Sequence, residues 1–399
     1  MKWSPQQDKA LVDFKQWYEG VEDDVFYLYG YAGTGKTSIA LHLTEGIDGK
    51  VIFAAFTGKA ASVMRKRGCS GAQTLHSLLY NVKKASQQRI LDLENERAEL
   101  MQEAGPEGID PRDLARIERD LKEARQASNK PNWELNPFSA ARDAALIVID
   151  ECSMVDARLG ADLRSFGKPI LVLGDPAQLP PVKGAGFFNV DKPQVMLTEV
   201  HRHALDNPVL HLATKVRKGE RLEPGSYGES RIVARSELQG GETLDYDQIL
   251  VGRNATRQLA NRAMRQRLGY AGTYPIEGEK LVCLKNSRED GFLNGTIWYV
   301  NSCHGDADSV ELTITSDEGT GPVETLAYSE PFRYEDAPRW GGGGLNEFTY
   351  GYALTTHKAQ GSEWEKVYIV DESSIARGDA GRWLYTAITR ASEKLLLVR

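Results

Sequence analysis

Nine consecutive residues have the types and spacing of a loop that holds the phosphates of a nucleotide. They run Gly30-Tyr31-Ala32-Gly33-Thr34-Gly35-Lys36-Thr37-Ser38. Glycines let backbone N–H groups turn towards phosphate oxygens, at the positive end of a following helix. We expect Lys36 to reach the β- and γ-phosphates of ATP and the Thr37 hydroxyl to ligate Mg²⁺. A glycine-rich turn that binds no ligand is the alternative interpretation.

Two adjacent acids, Asp150 and Glu151, form the second group with evident chemistry. They follow the apolar run Ala145-Leu146-Ile147-Val148-Ile149, and paired acids at the end of a buried strand are rarely structural. In an enzyme with a phosphate loop, the first acid holds Mg²⁺ and the second can orient and deprotonate the attacking water. We therefore assign Asp150 to the metal and Glu151 to the general base.

Two glutamines are further candidates for contact with a nucleotide. Gln178 lies in a polar stretch after the apolar run Ile170-Leu171-Val172-Leu173, where it could sense the γ-phosphate. Gln7 lies in a helical stretch ahead of the phosphate loop, and a Gln amide can pair with both N6 and N7 of adenine. Most glutamines are merely solvated, which is the alternative interpretation of Gln7.

The elements that must position these residues follow an α/β pattern. The apolar strand Val25-Phe26-Tyr27-Leu28-Tyr29 precedes the phosphate loop and a helical stretch follows it, which is the context that such a loop requires. Further apolar strands are predicted at 51–56, 145–149, 170–173 and 195–197. Ligands gather at the carboxyl ends of such strands. The pattern predicts a first α/β domain over residues 1–205.

A second α/β pattern begins near Asn207 and predicts a domain over residues 206–399. Short alternating strands and turn residues interrupt it between about 275 and 346, and we interpret them as an inserted β-module. Within the first domain, residues 83–135 are densely charged, and Leu114, Ile117 and Leu121 recur at helical spacing. This insertion is predicted to form an antiparallel helical hairpin that buries only its own seam.

Composition and charge bound the function classes. The 399 residues are 41% hydrophobic and 26% charged, as in a globular protein of two or three domains. A net charge of −7 provides no global basic field, so a nucleic acid would have to bind in a local groove. The four cysteines are scattered, which favours reduced thiols over a zinc site. No apolar run approaches the ~20 residues that span a bilayer, so we expect a cytoplasmic protein without a membrane partner.

The whole series of motifs resembles superfamily 1 DNA helicases of the RecD and Dda type, the 5′-to-3′ branch found in phages and bacteria. The phosphate loop is similar to motif I, residues 56–61 to motif Ia and residues 74–76 to motif Ib. Residues 150–154 resemble motif II, 174–181 motif III, Arg202 the motif IV arginine, 352–363 motif V and 385–391 motif VI. The resemblance spans nearly the full chain, and the order of the motifs is more specific than any single match.

The resemblance implies two RecA-like domains in tandem, with ATP in the cleft between them, a helical insertion in the first domain and a small SH3-like β-module in the second. Arg202 and Arg390 would be arginine fingers on the γ-phosphate, a role worth ~10³ or more in rate elsewhere. With the assignments above, the expected catalytic residues are Lys36, Glu151, Gln178, Arg202 and Arg390. The expected ATP contacts are Gln7, Gly30, Ala32, Gly33, Thr34, Gly35, Lys36, Thr37, Ser38, Arg202, Glu363 and Arg390, with Thr37 and Asp150 on Mg²⁺.

Single-stranded DNA is the partner that the resemblance implies, together with a fork or duplex junction. The implied DNA contacts are Thr57, Lys59, Thr74, His76, Thr356 and His357, and short hydroxyl and imidazole donors suit phosphates. A monomer is expected, and a single-strand-binding or replication protein is a further candidate partner. The helical insertion stands where the family has a strand-separating β-hairpin. That insertion, or Trp133 and Phe138 at its base, either meets the duplex, docks a partner or is a solvated arm without a role.

Two other function classes share the phosphate loop. A kinase or phosphotransferase would need an acceptor site and a lid within one domain, whereas this chain has a second domain with its own arginine motif. An ATPase that switches a nucleic-acid or protein complex without moving along DNA would have the same nucleotide site. Stimulation of ATP turnover by nucleic acid distinguishes a helicase from that third class.

Overall fold

The computed structural model describes residues 3–20, 23–82, 84–103, 111–128, 133–180, 186–199, 207–238, 241–287, 291–305, 309–333 and 345–399. Within these ranges the strands form two six-stranded sheets, one five-stranded sheet and one two-stranded ladder. Every described helix is too short or too polar to cross a membrane.

The first six-stranded sheet carries the phosphate loop. The elements up to its last strand are α1 (Pro5–Gly20), β1 (Val25–Gly30), α2 (Lys36–Thr44), β2 (Lys50–Ala55), α3 (Gly58–Lys66), β3 (Gln73–Thr74), α4 (Leu75–Leu79), β4 (Tyr80–Val82), α5 (Lys84–Glu103), α6 (Pro111–Ser128), β5 (Trp133–Leu135), β6 (Ala144–Asp150), α7 (Ala157–Arg164), β7 (Ile170–Gly174) and β8 (Val195–Leu197). The strand order is β3-β2-β6-β7-β1-β8, and all neighbours are parallel.

Continuous apolar runs explain this parallel sheet. Leu146, Ile147, Val148 and Ile149 of β6 are all fully buried, because helices cover both faces of the sheet. Side chains of α1, α2 and α3 pack on one face, and side chains of α4 and α7 pack on the other. The carboxyl ends of β1, β6 and β7 therefore meet at one edge, where ligands bind in sheets of this kind.

The second six-stranded sheet follows the same principle. The remaining elements are α8 (Pro208–Arg217), β9 (Gly225–Tyr227), β10 (Ser230–Val233), β11 (Gln248–Val251), α9 (Asn254–Arg267), β12 (Lys280–Cys283), β13 (Ile297–Gly305), β14 (Ser309–Ser316), β15 (Val323–Tyr328), α10 (Glu330–Arg333), β16 (Phe348–Tyr350), β17 (Ala353–Thr355), β18 (Trp364–Val370), α11 (Ala380–Ile388) and β19 (Ala391–Val398). Strands β17-β11-β18-β19-β10 are parallel, and β9 adds an antiparallel edge. Helices α8 and α11 pack on one face.

The part of the chain between β11 and β17, which are neighbours in the second parallel sheet, forms a separate five-stranded antiparallel sheet. Its order is β15-β14-β13-β12-β16, and it shares a core with the outer face of the parallel sheet, where Trp298 and Phe348 pack with Val251 and Tyr352. The last strand, Phe348–Tyr350, extends this sheet beyond the predicted end at residue 346. An SH3-like topology and the domain boundary at residue 205 stay predictions.

Two charged helices leave the first sheet between β4 and β5. These strands pair antiparallel, with Tyr80 opposite Leu135, and so form the base from which α5 and α6 extend. Leu93 of α5 packs with Ile117 and Leu121 of α6 in a small cluster of their own. We call this pair of helices the arm. Its seam is separate from the cores under the two parallel sheets.

Candidate active site

The phosphate loop joins the end of β1 to the start of α2. Gly33 and Gly35 have φ angles of 78° and 79°, a conformation that glycine adopts at little cost. Lys36 Nζ donates hydrogen bonds to the carbonyl oxygens of Gly30 and Tyr31, at 2.7 and 3.1 Å. The ammonium group of Lys36 therefore lies against the loop that is expected to bind the phosphates.

The acidic pair lies opposite the loop, at the end of β6. Thr37 Oγ1 donates to Asp150 Oδ2 at 3.4 Å, and Glu151 N–H donates to Asp150 Oδ1 at 2.8 Å. Burial raises the pKa of Asp150, the negative charge of Glu151 raises it further, and the charge of Lys36 opposes both. Glu151 has a positive φ of 54°, an uncommon conformation for a residue with a side chain, and such strain clusters at functional sites.

The oxygen atoms of Thr37 and Asp150 fit a magnesium ion. Mg²⁺ prefers hard oxygen ligands and is usually held by one or two carboxylates together with substrate phosphates and water. Among the described residues no group of three His, Cys, Asp or Glu side chains could form an all-protein metal cage. The donor set thus matches a metal that arrives with a nucleotide.

Arg390 approaches this acidic pair from the second parallel sheet. It follows α11, its side chain is 7% exposed, and its Nη1 atom lies 3.8 Å from Glu151 Oε1. The guanidinium is oriented by hydrogen bonds to the carbonyl oxygens of Ser362 and Thr386, at 3.1 and 3.2 Å. A buried, oriented cation from one sheet therefore faces the expected general base of the other.

The loop, the acids and Arg390 line one cavity of about 580 Å³ between the two sheets. Of the predicted nucleotide contacts, Ala32, Gly33, Gly35, Lys36, Thr37, Ser38, Asp150, Glu151, Gln178, Glu363 and Arg390 all line it. Arg202 lies outside the described residues. Thr34 is buried beneath the loop, where its hydroxyl donates to the Tyr31 carbonyl at 2.8 Å.

Gln7 and Glu363 have partners inside the protein. Gln7 is 1% exposed, its Nε2 donates to the Thr34 carbonyl at 3.2 Å and its Oε1 accepts from Ser4 N–H at 3.0 Å. Glu363 Oε2 accepts from Arg67 Nη2 at 2.8 Å, and both side chains border the cavity. In this structure Gln7 therefore holds the backbone of the phosphate loop by a hydrogen bond. Its role in adenine recognition stays a prediction.

Residues that the sequence did not single out connect the cleft to the second sheet. Tyr385 Oη donates to Asp175 Oδ2 at 2.8 Å and accepts from Ala32 N–H of the phosphate loop at 2.9 Å. Burial raises the pKa of Asp175, whereas Lys36 and the Tyr385 hydroxyl lower it. One hydroxyl on α11 thus bridges the phosphate loop and the acid that follows β7.

A second pair of bonds fixes the segment that carries Gln178. Thr386 Oγ1 accepts from Leu179 N–H at 2.9 Å, and Gln360 Nε2 donates to the Leu179 carbonyl at 3.0 Å. Gln178 Oε1 is buried and has no hydrogen-bond partner among the described residues. The position of Gln178 therefore depends on side chains of the second sheet. Tyr385 and Thr386 belong to the same motif as Arg390, which was the only available signal.

The predicted DNA contacts are brought together only in part. A Cβ atom added to Gly361 would lie 2.9 Å from Thr57 Oγ1, so the loop after Thr356 and His357 touches the start of α3. Thr57 and Thr74 cap α3 and α4 by accepting from Ala60 N–H and Ser77 N–H, each at 3.1 Å. Their hydroxyls thus already have partners.

Of the other four predicted DNA contacts, Thr356 and Lys59 are buried, and His76 and His357 are half-buried. Thr356 is fully buried, and its hydroxyl donates to the Val251 carbonyl at 3.4 Å. Burial lowers the pKa of His76 and of His357 below the ordinary value of 6.5. Lys59 is 6% exposed and ion-paired. A role of these side chains in DNA binding stays a prediction.

Known proteins match the chain over both sheets. Residues 4–234 match the AAA domain family, and residues 350–398 match the UvrD-like helicase C-terminal domain. The ATP-dependent RecD2 DNA helicase of Deinococcus radiodurans is 29% identical over 279 residues, which are 62% of this chain and 35% of that protein. The conjugal transfer protein TraA of Rhizobium radiobacter is 24% identical over 318 residues, 68% of this chain and 26% of that protein. The chain thus spans about a third or less of the length of these relatives.

Solved structures share the fold over nearly the whole chain. The Pif1 helicase of Candida albicans has a TM-score of 0.54 at 17% identity, over 100% of this chain and 94% of that chain. The Bacteroides Pif1 helicase in complex with ADP-AlF3 and single-stranded DNA has a TM-score of 0.52 at 18% identity, over 100% and 92%. The paired parallel sheets are thus the tandem RecA-like fold. The chain belongs to the AAA domain family, and its last part matches the UvrD-like helicase C-terminal domain.

Proposed function

We propose that this protein is an ATP-dependent DNA helicase or single-strand translocase that moves 5′ to 3′. The observation that carries the proposal is the cavity between the two sheets, which collects a phosphate loop and an acidic pair from one side and Arg390 from the other. A nucleotide in such a cleft holds two domains together, and its hydrolysis releases them.

Each residue of the cleft has a distinct part in this proposal. The loop N–H groups and Lys36 bind the phosphates, and Glu151 takes the proton of the attacking water. Thr37 and Asp150 would hold Mg²⁺, which neutralises charge on the phosphates when it is bound. Arg390 stabilises the charge that develops on the transferring phosphoryl group, and it reaches that group only while the cleft is closed.

The relatives support DNA as the partner. The RecD2 relative is an ATP-dependent DNA helicase, and the structurally similar Bacteroides Pif1 binds single-stranded DNA. We propose that this chain binds a single strand across the two sheets near Thr57 and the loop of Thr356 and His357, and that it acts as a monomer at forks or duplex junctions. The 5′-to-3′ direction rests on the resemblance to these helicases.

The first experiment measures ATP turnover by the purified chain with and without single-stranded DNA. We expect DNA to raise the rate well above the basal value, because the strand favours the closed cleft. A rate that DNA does not change would remove the motor function and leave the ATPase that switches a complex. Duplex DNA without a tail is the control ligand.

The second experiment tests direction on two partial duplexes of identical sequence, one with a 5′ single-stranded tail and one with a 3′ tail. Unwinding from the 5′ tail is expected. If only the 3′-tailed duplex is unwound, the assigned direction is wrong while the motor function stands.

A further inference from the structure

An acidic turn of the antiparallel sheet lies against the start of α3. The turn joins β14 to β15 and carries Asp317 and Glu318. Lys59 Nζ lies 2.5 Å from Asp317 Oδ2 and 3.6 Å from Glu318 Oε1, and Lys66 Nζ lies 3.6 Å from Glu318 Oε1. The Ser62 hydroxyl also donates to Glu318. Two acids thus meet two lysines and one hydroxyl of a helix that belongs to the other half of the chain.

The burial of Lys59, Asp317 and Glu318 distinguishes their contact from an ordinary surface ion pair, whereas the Lys66 side chain is 60% exposed. The Lys59 side chain is 7% exposed, and those of Asp317 and Glu318 are 21% and 23% exposed. Burial alone would raise the pKa of Glu318, yet the Ser62 hydroxyl and the lysines hold it below its ordinary value. Partly buried pairs of this kind are screened by salt much less than exposed pairs.

A second contact fixes the same two parts of the chain. Leu293, in the loop between β12 and β13, packs so closely on Gly58 that a Cβ atom at Gly58 would collide with it. Gly58 is the first residue of α3 and directly precedes Lys59. The antiparallel sheet therefore touches the start of α3 at an apolar point and at a charged point.

The charged point coincides with the place where a strand of DNA is expected. Thr57 caps α3 and touches the loop of Thr356 and His357 through Gly361. Phosphate groups bind to lysines and hydroxyls, and the acidic turn contacts two lysines and one hydroxyl of α3. A strand that binds at α3 would need the lysines and the hydroxyl that Asp317 and Glu318 contact. A phosphate can reach Lys59 Nζ only after the turn has moved.

We propose that the Asp317-Glu318 turn is an autoinhibitory latch, which competes with the phosphate backbone of single-stranded DNA for Lys59, Ser62 and Lys66. The inference rests on the proposed function, because it takes the strand to bind at α3. When the binding-competent state is only a fraction of the population, the apparent affinity is reduced by that fraction. Opening of the latch is therefore a step that DNA must drive and that loss of the two carboxylates makes unnecessary.

The test compares the double variant D317N/E318Q with the matched variant E311Q/E324Q. The control removes two exposed carboxylates from the neighbouring strands of the same sheet, so both variants change net charge equally. Binding of a short fluorescein-labelled oligothymidylate is measured by anisotropy, without nucleotide. D317N/E318Q should bind about fivefold or more tightly than the wild type, because the latched fraction is lost, whereas E311Q/E324Q should change affinity much less.

Hydrogen exchange of the wild type gives an independent readout. Saturation with the oligothymidylate should speed exchange of the β14–β15 turn, since its carboxylates lose their partners when DNA binds. A turn that exchanges equally or more slowly with DNA, or equal tightening in both double variants, would overturn the latch and leave the proposed function intact. If neither the wild type nor D317N/E318Q binds the oligothymidylate, the proposed function fails and the latch fails with it.

Discussion

The nucleotide cleft and the face expected to contact DNA differ in the internal partners that a ligand would have to replace. In the cleft, Gln178 Oε1 is buried without a partner among the described residues, and Lys36 rests on carbonyls of its own loop. On the other face, Lys59 is ion-paired with Asp317, and Thr57 is used as a helix cap. The cleft already collects its groups around one cavity, whereas the other face, if it binds DNA as we propose, must exchange internal partners for phosphates.

The two regions also differ in charge. Lys36 and Arg390 bring fixed cations to the cleft. On the other face, burial lowers the pKa of His76 and His357, which disfavours the charged form of both imidazoles. We therefore expect changes in the cleft to act on ATP hydrolysis, and changes at the face proposed to contact DNA to act on how readily the acidic turn releases α3.

The largest effect is expected from Arg390→Ala. This change removes the cation that faces Glu151 across the cleft, so DNA-stimulated turnover should fall on the order of 10³-fold, as for arginine fingers elsewhere. ATP affinity should change far less, because the phosphate loop is untouched. Rates are measured by a coupled ATPase assay, and affinity by a fluorescent nucleotide analogue.

Arg382→Ala is the matched control for Arg390→Ala, since Arg382 lies on the same helix α11 and is 50% exposed. Arg390→Lys keeps the charge and should restore part of the rate if charge in the cleft is what matters. Turnover by Arg390→Ala at the rate of the wild type would show that the cleft between the sheets is not the site of hydrolysis.

Glu151→Gln is expected to separate binding from chemistry. The amide cannot take a proton from water, so turnover should fall about 10²-fold or more, while binding of ATP and Mg²⁺ persists. Glu365→Gln, at an exposed position of β18, is the control. Hydrolysis by Glu151→Gln near the wild-type rate would show that the general base is another group.

Tyr385→Phe tests whether the second sheet positions the phosphate loop. The change leaves Ala32 N–H and the Asp175 carboxylate without their bonds to the hydroxyl, and an unpaired buried group costs about 1–3 kcal/mol. We therefore expect DNA-stimulated turnover to fall about tenfold. Tyr227→Phe loses one hydrogen bond of similar length on exposed β9 and should leave the rate unchanged. Equal rates in both variants would contradict a positioning role of Tyr385.

The cleft could be anticipated from the sequence because its chemistry is encoded locally. Two glycines, Lys36 and Thr37 lie within one loop, and Asp150 and Glu151 directly follow a strand, so spacing alone indicated their roles. The contacts between the sheets could not be anticipated. Tyr385 and Asp175 are 210 residues apart, and Lys59 and Asp317 are 258 residues apart. No periodicity marks such pairs, since they depend on how the two halves pack.

Three short strands, β9, β10 and β16, could not be predicted from the sequence for a different reason. Strand β9 is exposed along most of its length, so it lacks the apolar run that marks other strands of this sheet. Strand β10 is mostly buried, but only Ile232 and Val233 of its four residues are apolar. The inserted β-module was expected to end at about residue 346, yet Phe348–Tyr350 adds a strand to its sheet. All three residues of this strand are buried, and a run of three is too short to separate it in the sequence from β17.

The smallest effect on ATP turnover is expected from removal of the arm. Leu93, Ile117 and Leu121 bury one another in a cluster separate from the cores of the sheets, and the paired strands β4 and β5 close the base of the arm. Replacement of residues 84–130 by a short Gly/Ser linker should therefore leave the sheets folded and DNA-stimulated ATPase near the wild-type rate.

Strand separation by the shortened protein distinguishes the possible roles of the arm. The arm follows strand β4, which comes after helix α4 with His76. Phe138 at its base is 83% exposed, so this end of the molecule can meet a duplex ahead of the single strand that we propose to bind. If it does, unwinding of a 5′-tailed duplex should fall severalfold while ATPase persists. Undiminished unwinding would rule out a wedge, and loss of ATPase as well would show that the arm supports the first sheet. Phe138→Ala in the full chain then separates the exposed ring from the helices, because it leaves the seam of Leu93, Ile117 and Leu121 intact.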